Sequence, residues 1–107
     1  MSIYALNLFN VKNSEEYNLY YEKAGKYVKK HGGTLIALGK LESSPVGDIE
    51  PREVMMLVQW ESKQGIANYI NDPEVATIHP HREKGVGDFV WHLFESASDF
   101  RAVLDKI

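Results

Sequence analysis

Apolar residues recur along this chain with two different periods, and the points where one period gives way to the other divide it into elements. From Ile3 to Val11 both alternate sets are apolar, Tyr4, Leu6 and Leu8 on one and Ala5 and Phe9 on the other, with Asn7 as a polar intruder. The segment reads as a strand that is apolar on both faces. Tyr17, Tyr20, Tyr21, Ala24, Tyr27 and Val28 then recur at spacings of three and four, which places them on one face of a helix from about Glu15 to Lys30. Asn13 or Ser14 can cap that helix, and Asn13 has Glu16 at capping-box spacing. Gly32 or Gly33 closes it, while Lys29, Lys30 and His31 lie by its last carbonyls.

A second strand is expected from Thr34 to Leu41, with Leu35, Ala37 and Leu41 opposite Ile36 and Leu38. Ser43 to Arg52, containing Pro45, Gly47 and Pro51, has the composition of a connecting loop. Strand three, Glu53 to Trp60, sets Val54, Met56, Val58 and Trp60 against Met55 and Leu57. Ser62 caps a second helix through Ile66, Ala67, Tyr69 and Ile70. Asp72-Pro73-Glu74 restarts a helical turn that is expected to end near Pro80. Strand four, Asp88 to Phe94, places Phe89, Trp91 and Leu93 opposite Val90, His92 and Phe94, and Ser98-Asp99 begins a short tail helix.

The order β-α-β-β-α-β predicts an α+β, ferredoxin-like fold with a four-stranded antiparallel sheet over residues 1–95 and a helical extension over 96–107. Two helices cover only one face of such a sheet. Every strand carries large apolar residues on its second face as well, where a sheet face meeting water is polar. Exposing them would create a patch of several hundred Å², so a homodimer packed sheet against sheet is expected.

Composition narrows the possible partners. The chain has 107 residues, 44% hydrophobic and 25% charged, with a net charge of −3 and no cysteine. That length suits one domain. With no clustered basic face, nucleic acid is not expected as a partner, and no apolar run reaches the roughly 18 residues of a membrane span. The first residues lack a basic flank and an apolar core of signal-peptide length, so a cytoplasmic protein is expected. Thiolate and disulfide chemistry is unavailable.

The tyrosine-rich helix followed by His31-Gly32-Gly33 and a strand containing Gly39 resembles the small bacterial proteins of domain of unknown function family 1330. The likeness continues through Pro51-Arg52-Glu53-Val54, Trp60-Glu61-Ser62, Asn71-Asp72-Pro73-Glu74 and Arg82, and so reaches to about Phe94. It implies the dimeric α+β barrel superfamily. That group includes cofactor-independent monooxygenases, lactone isomerases, haem-handling enzymes and proteins without a known reaction, so the resemblance implies no particular activity.

Among the residues able to carry chemistry, His79-Pro80-His81-Arg82 stands out. Its imidazoles and guanidinium suit a carboxylate or an enolate-like oxygen, with a histidine as acid or base near neutral pH. The plain alternative is a helix end with a salt-bridging arginine. His92 is a third proton-handling candidate, against a structural hydrogen bond in a strand. Asn7, Tyr20, Trp91 and Arg82 are the expected ligand contacts. Companion metal ligands are not evident, and no metal or cofactor is expected. The sequence thus supports a homodimer binding a small organic ligand between sheet and helices. Its alternatives are a cofactor-independent monooxygenase or isomerase of a small carbonyl or phenolic metabolite, and a structural dimer whose interior is filled by its own side chains.

Overall fold

The computed structural model describes residues 2–105 and 107. The elements are β1 (Ile3–Val11), α1 (Ser14–Lys30), β2 (Gly33–Lys40), β3 (Val54–Trp60), α2 (Lys63–Ile70), α3 (Pro73–Ala76), α4 (His79–Gly85), β4 (Val86–Glu95) and α5 (Phe100–Asp105). One antiparallel sheet takes the order β2-β3-β1-β4, the ferredoxin-like arrangement that the sequence predicts.

Helices α1, α2 and α3 each begin at a residue whose side chain caps them. The Asn13 side chain accepts from the Glu16 amide at 3.1 Å, and Ser62 accepts from the Gly65 amide at 3.1 Å. Only half of the expected capping box forms at α1, because the Glu16 carboxylate turns to His81 instead. Gly32, at φ 90°, is the glycine that closes α1. Asp72 caps α3 with Pro73 behind it. Pro80 does not end a helical turn as expected; it lies in the first turn of α4, where its missing N–H has no intrahelical partner to lose.

The register assigns the two faces of the sheet. Ile3, Ala5, Asn7 and Phe9 face the helices, and Ile3, Ala5, Trp60, Ile66, Tyr69 and Val75 form the buried core. Leu6 pairs with both Leu57 and His92, and Leu8 with both Met55 and Val90, on the opposite, outer face. Strict alternation fails in β2. Leu35 pairs with Val58 but Ala37 pairs with Leu57, so a bulge at Ile36 carries Ala37 to the outer face and returns Leu38 to the helix side.

At the Phe9 end of the sheet, side chains tie the strand ends together. Asn10 donates to the Asp88 carboxylate at 3.0 Å and accepts from the Glu53 amide at 2.9 Å. The Glu53 carboxylate accepts from the Val11 amide at 2.9 Å, and Arg52 Nε donates to the Asp88 carbonyl at 3.1 Å. Asp88 holds a left-handed φ of 52° beside the shift in the β1–β4 register, a conformation that Asp tolerates better than most residues.

Candidate functional site

Between the helices and the inner face of the sheet lies a cavity of about 570 Å³. Its roof is the α1 face marked by the tyrosine spacing. Small residues at its middle, Ala24 and Gly25, leave the hollow, and a Cβ on Gly25 would meet nothing within 4 Å. Its floor is the inner face of β1, β3 and β4, including Asn7, Met56 and Trp91, which the register sets side by side.

One end is aromatic and cationic. The Phe9 ring lies 5.0 Å from that of Tyr17 and 5.9 Å from that of Phe89. The Arg82 guanidinium carbon sits 4.9 Å above the Phe89 ring, a cation-π contact. His79, three residues before Arg82 on α4, lines the same space. Burial, followed by the nearby Arg82 charge, holds its imidazole below the ordinary value, so the neutral ring prevails at neutral pH.

Three tyrosines supply hydroxyls. Tyr17 donates to Met56 Sδ at 3.2 Å, and the Tyr20 and Tyr69 hydroxyls are 3.0 Å apart. Burial pushes both Tyr17 and Tyr69 above the normal phenol range, so they act as neutral hydrogen-bonding groups and not as bases. Asn7 donates through Nδ2 to the Ala5 and Met56 carbonyls, each at 3.3 Å. Because both neighbours are acceptors, the amide is oriented with its oxygen free of them.

The expected site residues therefore separate. Asn7, Tyr20, Trp91, Arg82 and His79 share the cavity. His81 lies apart from it, with Nδ1 2.7 Å from the Glu16 carboxylate across the α1–α4 contact, and that bond holds Glu16 below the usual carboxylate range. His92 stands opposite Leu6 on the outer face, because it alternates with the inward-facing Trp91. Tyr17, Tyr69, Phe89 and Lys29 also line the cavity although they were not among the expected contacts. For Tyr17 the helical spacing carried the signal, and for Phe89 its parity with Trp91 did. Among the described residues no cluster of three His, Asp or Glu is placed to hold a metal ion, and no helix is long and apolar enough to cross a membrane.

Comparison with solved structures places the chain among proteins of the same fold. The RPA0582 protein of unknown function from Rhodopseudomonas palustris aligns at TM-score 0.84 and 20% identity, covering 92% of this chain and 84% of that one. SnoaB, a cofactor-independent oxygenase from Streptomyces nogalater, aligns at TM-score 0.66 and 10% identity, covering 92% and 95%. A dimeric protein of unknown function with a ferredoxin-like fold from Bacteroides fragilis aligns at TM-score 0.57 and 12% identity, covering 89% and 96%. No curated protein matches the sequence. The family model for the domain of unknown function DUF1330 matches residues 2–92, and the chain belongs to that family.

Proposed function

We propose that this protein is a homodimer that binds a small organic ligand in the cavity between its sheet and its helices. The cavity carries the proposal. Its volume of about 570 Å³ falls in the range of small-molecule sites, and its apolar walls converge on a few oriented polar groups. A purely structural dimer would have an interior filled by its own side chains, and this interior is open.

The dimer rests on the outer face. Leu6, Leu8, Met55, Leu57 and Val90 lie there only half-buried, and Phe94 is 51% exposed. Fully burying an exposed side chain of this size is worth roughly 1.5–3 kcal/mol, and covering what remains open of each of these adds a fraction of that. A second copy presents the same surface, and the related Bacteroides fragilis structure is described as dimeric.

Gly25→Leu tests the ligand reading. Glycine within a helix lowers stability by roughly 0.5–1 kcal/mol relative to a better helix former, so the variant should melt at or above the parent temperature. Gly25 borders the cavity, and a side chain there has open space to occupy. Ligands that raise the melting temperature of the parent chain should then fail to do so for the variant. Equal shifts in both proteins would remove the cavity as the binding place.

His79 favours a second reading, a cofactor-independent oxygenase or isomerase acting on a small carbonyl or phenolic substrate. Its neutral imidazole lies in the cavity with Arg82, which suits it to take a proton while the guanidinium holds the developing negative charge. Turnover of such a substrate that survives His79→Ala unchanged would eliminate this mechanism.

A further inference from the structure

We infer that the ligand of this cavity is a planar hydroxylated aromatic acid, seated with its carboxylate at Arg82 and its ring against the aromatic walls. The inference rests on the reading of the cavity as a ligand site and goes beyond it to the ligand's chemistry.

The charge of the lining comes first. The chain holds 15 acidic residues against 12 lysines and arginines, yet the cavity is lined by Arg82 and Lys29 and by no aspartate or glutamate. The lining thus reverses the balance of the whole molecule, and a low-dielectric cleft of one sign focuses its field on a ligand of the other sign.

Arg82 is the centre of that field. It is half-buried, and among the described residues its guanidinium makes no side-chain hydrogen bond or ion pair; it lies over the face of Phe89. Guanidinium groups in folded proteins usually spend their forked donors on a carboxylate. Here the fork is set in an aromatic wall with its donors unspent, and a ligand carboxylate can accept two of them in parallel. His79 adds a hydrogen-bonding nitrogen nearby without adding an acidic group.

The walls decide the shape. Phe9, Tyr17, Phe89 and Trp91 surround the space beside Arg82 with ring faces and edges, which favour a flat π-system over a saturated ring of equal area. Asn7 decides the far substituent. Its Nδ2 is committed to two carbonyls, which leaves Oδ1, on the cavity floor, to accept from a ring hydroxyl.

Four probes on the full chain test this: a hydroxynaphthoate, the matching hydroxynaphthamide, unsubstituted naphthoate and decalin carboxylate. Affinities are read by titration calorimetry and by quenching of Trp60 and Trp91, which both line the cavity. The hydroxynaphthoate should bind at least about tenfold more tightly than its amide, and more tightly than the other two acids. Arg82→Gln, checked for folding by circular dichroism, should lower the acid to the affinity of the amide and leave the amide unchanged. Lys29→Gln should preserve the preference.

Equal binding of acid and amide by the parent chain would overturn the charge assignment while the ligand cavity stands. Equal binding of the naphthoate and decalin acids would overturn the planar assignment, and equal binding with and without the hydroxyl would overturn the role of Asn7. A preference that follows Lys29 would overturn the placement at Arg82. Failure of every probe to bind at millimolar concentration would overturn both this inference and the reading on which it rests.

Discussion

The backbone of Tyr17 occupies the place where a side chain on Gly85 would stand: a Cβ there would lie 2.7 Å from the Tyr17 amide nitrogen. The Gly85 carbonyl in turn accepts from the Lys12 and Asn13 amides at 2.8 and 3.2 Å. This close approach seats α4, and with it His79 and Arg82, against α1. Gly85→Ala must push the two helices apart, and overpacking of this kind costs about 1–3 kcal/mol. Urea denaturation should show that loss. Anionic ligands should weaken as well, because Arg82 moves with its helix.

Leu57 tests the assembly. It pairs with Leu6 on one side and Ala37 on the other, at the middle of the outer face and away from the core. A carboxylate introduced there is harmless in water and costly between two apolar sheets. Leu57→Glu should therefore keep its fold by circular dichroism, while light scattering at micromolar concentration falls from twice 12.2 kDa to 12.2 kDa. A variant that kept the doubled mass would place the interface elsewhere.

Asp72 governs the response to acid. Its carboxylate accepts from His31 Nε2 at 2.8 Å and from the Glu74 amide at 2.9 Å, with Lys30 Nζ at 3.5 Å. The His31 bond first, then the Glu74 amide, hold it below its ordinary value of 3.8. A carboxylate lowered in the folded state adds stability that is fully present above its unfolded value and is lost as the pH falls through its folded value. Asn keeps the cap but not the charge, and Ala keeps neither. Near pH 7 the denaturation midpoints should rank Asp72 above Asn and Asn above Ala, and the gap between Asp and Asn should narrow as the pH drops below 3.8.

The faces of β1, β3 and the part of β4 from Phe89 onward were legible because alternation ties each side chain to its neighbours, so a single inward residue sets the rest. Parity with Trp91 was enough to separate His92 from the cavity once the helix side was known. The second half of β2 was not legible, since one extra residue at Ile36 reverses every later assignment and leaves no compositional mark. The start of α4 was hidden for a similar reason: proline ends some helices and begins others, and only the chain around it decides. The grouping of His79 with Arg82, and the departure of His81 to Glu16, depend on the packing angle between α1 and α4. The hollow under Ala24 and Gly25 depends on the distance between helix and sheet, which no local pattern carries.

The strand-end corner built by Asn10, Arg52, Glu53 and Asp88 has a kinetic consequence. Main-chain amides of Val11 and Glu53 are satisfied there by side chains distant in the sequence, those of Glu53 and Asn10, and not by the ladder itself. Loss of any one of these side chains frees several strands together, so this rim should fray as a single cooperative unit, and its amide protons should exchange with solvent at a shared rate.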